Sequence, residues 1–193
     1  MEAQALLNAL HLAERLKDAT RHCYTSGGRH ESVAEHSWRL ALMAYWLRDE
    51  FPTLDMDRVI RMCLIHDLGE AFTGDIPTFE KTQADETREE DLLFAWVDSL
   101  PAPFRDEMAA LYREMAARES PEAKLYKALD NLEAVIQHNE SDLSTWSENE
   151  FALNLVYGYD KAAWSPVLLA LRDAVRTETE EKIEAFRKED PKC

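Results

Sequence analysis

CLIHDLGEAFTGD, residues 63–75, sets an imidazole and a carboxylate, His66 and Asp67, directly after the apolar run Met62, Cys63, Leu64, Ile65. Burying such groups without partners is costly, so the stretch requires something to satisfy them. Upstream, Asp55 is a helix N-cap by type. From there Val59, Cys63, His66 and Glu70 recur at helical spacing until Thr73-Gly74, where Gly74 ends the helix. The spacing predicts one helix through His66 and Glu70, with His66 turned inward.

The same periodicity extends in both directions. Leu6, Leu7, Leu10, Ala13 and Leu16 predict a helix over residues 3–17, followed by a loop containing Ser26-Gly27-Gly28. Ser32-Val33-Ala34-Glu35 fits a capping box and opens a helix to about residue 50. Its inward stripe is Val33, Leu40, Met43, Ala44 and Leu47, and this register carries His36 into the core. Further helices are expected over about 80–99, 103–117, 121–140, 148–159 and 164–188, with Ser120-Pro121 supplying an N-cap and a first-turn proline. The fold class expected is all-α. One domain is expected over residues 1–193, with its core at about 30–140 and C-terminal helices at about 148–188.

Hydrophobic residues make up 46% and charged residues 31% of 193, the composition of a folding, water-compatible domain. Net charge is −16 without a basic cluster, which opposes docking on nucleic acid or on an anionic membrane. A small anionic substrate needs a local cation. Cys23, Cys63 and Cys193 lack disulfide-framework spacing and suit reduced thiols. No apolar run approaches the roughly 20 residues of a bilayer span, and the amphipathic, early-acidic start is unlike a secretory signal. Cytoplasmic residence is the expectation.

Two inward histidines on successive helices, one followed at once by Asp, offer nitrogen and oxygen donors suited to a divalent transition metal. Core histidines bonded to backbone carbonyls are the alternative. Asp130 lies beside the stripe Leu125, Leu129, Leu132, Val135, Ile136 and on its own reads equally as a solvated helix carboxylate.

The set His36, His66-Asp67 and Asp130 resembles the signature of the HD-domain phosphohydrolase superfamily. Within it, ESVAEHS (31–37), HDLGEAFTGDIPT (66–78) and AKLYKALD (123–130) are most similar to 5′-deoxynucleotidases, over roughly residues 5–140. The resemblance implies an HD-domain helical bundle and one divalent cation (Co, Mn, Mg, Zn or Fe) held by His36, His66, Asp67 and Asp130. It makes Glu70 the residue that orients or deprotonates the attacking water, and places Asp75 near the sugar hydroxyl, with Thr78 in the same substrate-contacting stretch. Arg21 aligns with a phosphate-positioning arginine. His22 stands where the family pattern has a tryptophan beside the nucleoside, which leaves base and sugar preference open. No histidine occurs between Asp67 and Asp130, which favours a mononuclear hydrolase over the dinuclear oxygenases.

The activity implied is hydrolysis of (deoxy)ribonucleoside 5′-monophosphates to nucleoside and phosphate. Hydrolysis of another phosphate ester or a nucleoside triphosphate, and a non-catalytic metal-binding helical protein, are the alternatives. A homodimer is implied by the resemblance, and Trp96, Trp146, Tyr157, Tyr159 and Trp164 offer apolar surface for it or pack into the core.

Overall fold

A computed structural model describes residues 2–77 and 80–189, and Thr78 and Cys193 lie outside the described residues. The described residues are predominantly helical, with one small two-stranded sheet among them. It divides into two compact units, Met1–His22 with Glu31–Tyr126, and Cys23–His30 with Lys127–Cys193.

In the first unit α1 spans Ala3–Glu14 and continues into a 3₁₀ turn at Arg15–Lys17. It buries Leu12 and Leu16, while Leu6, Leu7 and Leu10, which share the expected side with Leu16, are about half exposed. Next in the chain comes a hairpin, β1 (Thr20–Tyr24) and β2 (His30–Ser32), in place of the expected loop, with residues Cys23–His30 counted in the second unit. Gly28, at φ 81°, makes its reversal possible, and Thr25 N–H donates to Arg29 O at 2.7 Å across it. Strands this short are too brief for an alternating pattern to register in sequence.

The capping box forms as read. Ser32 Oγ accepts from Glu35 N–H and Glu35 Oε2 accepts from Ser32 N–H at 2.9 Å, launching α2 (Val33–Trp46). Its inner face is Val33, His36, Leu40 and Ala44, and Trp38, Tyr45 and Trp46 occupy the opposite face in the open. Asp55 Oδ1 accepts from Arg58 N–H at 3.0 Å and starts α3 (Met56–Ile65), which buries Val59, Met62 and Cys63. The helix ends at Ile65 and does not run on to Gly74. Residues 66–69 form a turn, and one further helical turn, α4 (Glu70–Thr73), closes on Gly74 at φ 76°. Helices α5 (Gln83–Asp98) and α6 (Phe104–Ala117) add Leu93, Val97, Leu111, Tyr112 and Met115 to this unit's core.

Helix α7 (Pro121–Glu140) begins where predicted, with Ser120 Oγ accepting from Ala123 N–H at 3.1 Å. From Lys127 onward it belongs to the second unit and supplies Leu129, Leu132 and Val135 to that unit's core. There Leu143, Trp146 and Ile183 form a cluster joined by Phe151, Leu155 and Phe186. The helix expected over 148–159 is instead two single turns, α8 (Glu150–Leu153) and α9 (Tyr159–Ala162). Gly158 separates them in the left-handed region, where an L side chain is strained. The link is fastened to α10 (Pro166–Glu189) by Arg172. Fully buried, it donates from Nε to Tyr157 O at 2.8 Å and from Nη2 to Asn154 O at 2.6 Å, with its cation over the Tyr159 ring.

A Cβ at position 158 would lie 3.1 Å from Asn131 Cβ, in addition to the φ strain. Gly158→Ala should therefore destabilise the chain by about 1–3 kcal/mol, read as a lower midpoint in thermal or urea unfolding.

Candidate metal centre

Two helices and one turn assemble the donors. His36 points inward from the second turn of α2 and is fully buried. His66 is the first residue beyond α3, and Asp67 follows in the turn. His36 Nε2 lies 3.2 Å from His66 Nε2, and Asp67 Oδ2 lies 2.9 Å from His66 Nε2 and 3.8 Å from His36 Nε2. One donor atom from each residue falls within 4.8 Å of the others. His66 Nδ1 sits 2.9 Å from Cys63 O. A carbonyl only accepts, so Nδ1 carries the hydrogen, and in the neutral ring the Nε2 lone pair faces His36 and Asp67. Two imidazole nitrogens and a carboxylate oxygen crowded this closely call for a cation between them, and this donor set fits a divalent transition metal.

Glu70 opens α4 immediately beyond. The early break in α3 replaces the helical spacing from His66 to Glu70 with a tight turn, in which Glu70 N–H donates to Asp67 O at 3.0 Å. Glu70 is buried, and its Oε2 has no hydrogen-bond partner among the described residues. Burial, with the carboxylates of Asp67, Asp75 and Glu89 adding to it, pushes the Glu70 carboxyl up to about 10. Asp75, half-buried past Gly74, is also raised by burial, against the lowering fields of Arg21, His22 and Lys81. Arg21 and His22 of β1 thus act electrostatically on the same carboxylates, and Arg21 Nε is 3.2 Å from Glu31 Oε2. Asp130 belongs to the second unit, where its Oδ2 accepts from Lys127 Nζ at 2.6 Å. Thr78 is outside the described residues.

Two members of this environment escape a sequence reading. Glu89, from α5, lies against Gly69, where a Cβ would meet its Cγ at 2.8 Å. Its Oε2 accepts from Lys81 Nζ at 2.8 Å and from Thr73 Oγ1 at 3.3 Å. Lys81 is thereby tied through Glu89 to Thr73 at the end of α4. Nothing in the spacing of Gly69, Lys81 and Glu89 signals this, because the three meet only through packing of α4 on α5.

Comparison with known proteins agrees with this geometry. Residues 13–171 match the family model described as HD domain. The 5′-deoxynucleotidase HDDC2 of Homo sapiens is 35% identical over 142 residues, covering 72% of this chain and 69% of that protein. The 5′-deoxynucleotidase hdd1 of Schizosaccharomyces pombe is 27% identical over 145 residues, with 67% and 72% covered. Among solved structures, a predicted metal-dependent phosphohydrolase from Magnetospirillum magnetotacticum superposes with a TM-score of 0.76 at 28% identity over 93% of each chain. The cyanophage S-2L HD phosphohydrolase DatZ, bound to dA and one catalytic Zn²⁺ ion, reaches 0.58 at 22% identity over 91% of this chain and 96% of that one, a likeness of fold alone.

The raised Glu70 carboxyl has a measurable consequence for the metal-free chain. With its folded-state pKa above the unfolded value, Glu70 keeps a proton on folding that the unfolded chain has released at neutral pH. Stability is then greatest below the ordinary value of 4.5 and falls as pH rises toward about 10. In chelator, the unfolding midpoint should fall between pH 5 and 9, and Glu70→Gln should flatten that slope. An unchanged slope in the variant would remove Glu70 as its source.

Proposed function

The chain belongs to the HD-domain family, and we propose that it is a metal-dependent 5′-nucleotidase that hydrolyses deoxyribonucleoside 5′-monophosphates to nucleoside and inorganic phosphate. The observation that carries this reading is the convergence of His36, His66 and Asp67 beside the buried carboxyl of Glu70. The relationship to curated 5′-deoxynucleotidases supports the substrate class. The family match runs across both compact units, which supports a single HD domain.

His36, His66 and Asp67 are the metal ligands of this reading, and Asp130 enters the set through the sequence resemblance alone. When bound, a divalent cation lowers the pKa of coordinated water and stabilises charge on phosphoryl oxygens. The chain's own side chains do the rest. A cation beside Asp67 would offset the burial and like charge that raise Glu70 and leave it ionised. Glu70 then accepts the proton of the attacking water as the new O–P bond forms and the bond from phosphorus to the 5′-oxygen breaks, and it returns that proton to the departing 5′-oxygen. Arg21 suits a phosphate oxygen because its guanidinium is planar and permanently charged. Lys81 has three N–H donors, one of them engaged by Glu89, and adds a second cation to an otherwise acidic site. Asp75 is assigned to the sugar hydroxyl and Thr78 to the substrate-contacting stretch, both by resemblance. His22 takes the place of the nucleoside-facing tryptophan. Its imidazole acts electrostatically to lower the Asp75 carboxyl, against the burial that raises it, and the chemistry there therefore differs from an aromatic stacking wall.

The reading includes a homodimer. Trp146 is core and does not offer surface, whereas Trp38, at 62% exposed, and Trp46, at 71%, stand with Tyr45 on the outer face of α2. An open aromatic face of this kind suits a second copy of the chain. Cytoplasmic residence is likewise part of the proposal, supported by Cys23 and Cys63 as buried thiols outside any disulfide. Among the described residues no helix is long and apolar enough to cross a membrane.

The test is phosphate release across a panel of nucleoside mono- and triphosphates with cobalt, manganese, magnesium, zinc or iron. Release from deoxyribonucleoside 5′-monophosphates is expected; preference for another phosphate ester would reassign the substrate, and no release with metal bound would end the reading. Asp67→Ala should lose metal and activity together, and Asp130→Asn should lower metal content; unchanged content would remove Asp130 from the ligand set. Glu70→Gln should keep metal and lose about 10²- to 10⁴-fold in turnover. For the dimer, Trp38→Glu with Trp46→Glu should shift sedimentation from dimer to monomer.

A further inference from the structure

Tyr112 lies on α6, buried, with its ring edge-on to Phe94 of α5 at 6.1 Å between centroids. A phenylalanine would fill that space equally well, yet the chain buries a hydroxyl there, which is costly without a reason. The hydroxyl donates to Ile65 O at 2.6 Å. Ile65 is the last residue of α3, and the next two residues are His66 and Asp67. Its carbonyl already accepts from Leu68 N–H at 3.1 Å, within the turn. The phenol is thus a second donor to an oxygen that needed none, and its contribution is geometric. A carbonyl oxygen has two lone pairs, and occupying both restricts how the peptide plane between Ile65 and His66 can tilt.

Two carbonyls in the last turn of α3 are therefore committed around this centre. Cys63 O fixes the tautomer and ring orientation of His66, and Ile65 O fixes the backbone from which His66 and Asp67 depart. We propose that Tyr112 is a positioning residue for the metal centre: its hydroxyl locks the end of α3 so that His66 Nε2 and Asp67 Oδ2 are aimed at the point that His36 also faces. Outer partners of this kind characteristically tune affinity without touching the ion. Burial and the nearby Asp67 carboxylate both raise the Tyr112 phenol above its ordinary value, so it remains a donor throughout the usable pH range.

This inference rests on the metal-binding reading of the site, and its experiment needs no substrate. Binding of cobalt(II) alone is measured by competition with a chromophoric chelator, together with the visible absorption of the bound ion. Tyr112→Phe, which keeps the ring against Phe94, should weaken cobalt affinity by about tenfold or more and alter the absorption band. Thr179→Val removes another buried hydroxyl, one bonded to Asn139 Oδ1 and Val175 O in the second unit, and serves as the control for lost stability. It should leave cobalt affinity unchanged even where its unfolding midpoint falls as far as that of Tyr112→Phe. Equal affinity and spectrum in Tyr112→Phe and wild type would overturn the positioning role alone. Wild-type protein that binds no cobalt would overturn the metal reading and the positioning role together.

Discussion

Three ligating atoms brought within a few ångströms of one another, two imidazole nitrogens and one carboxylate oxygen, are the constraint around which the first compact unit is arranged. Left to themselves they repel or compete for a proton, and a low-dielectric surrounding sharpens the conflict. The unit devotes specific groups to holding them there. Cys63 O orders the His66 ring, Tyr112 holds the end of α3, and the capping box at Ser32 sets the register of α2, which delivers His36 inward. A divalent cation resolves the conflict, which is why family membership and local geometry point to the same chemistry.

The break at Ile65 is what separates this centre from an ordinary amphipathic helix. Had α3 continued to Gly74, Glu70 would have stood one turn above His66 on the same face. The turn at 66–69 instead lets Asp67 approach His66 Nε2 and draws Glu70 into a buried position among carboxylates. Gly69 is part of that solution, since the Glu89 side chain occupies the volume a Cβ would need. Acid crowding then makes nearby cations necessary for an anionic substrate, and Arg21 and Lys81 both act on these carboxylates from outside the metal ligands.

Capped helix starts, and the stop at Gly74, were legible because caps are local chemistry. Ser32 with Glu35, Asp55, Ser120-Pro121 and Gly74 each do in the structure what their types predict. Faces were less secure. Leu6, Leu7, Leu10, Ala13 and Leu16 share one side by periodicity, yet the structure buries Leu16 and leaves Leu6, Leu7 and Leu10 about half exposed, because burial depends on what stands opposite the helix. The 148–159 segment failed for a related reason: Gly158 adopts a left-handed conformation that its neighbours in sequence do not demand, but that Asn131 at 3.1 Å accommodates only without a side chain.

By itself, then, the sequence determined the helical class, most helix starts, and the residue types able to hold a cation, because capping and hydrophobic spacing act over a few residues. It also carried the family's motif, from which the candidate ligands follow. Tertiary structure decided where α3 stops, that the hairpin forms, and that Tyr112, Lys81 and Glu89 take part in the site's surroundings. Those outcomes depend on contacts between residues far apart in the chain: 47 positions separate Tyr112 from Ile65. No local pattern encodes a hydroxyl's distance to a distant carbonyl, since only packing of α6 near the end of α3 creates it.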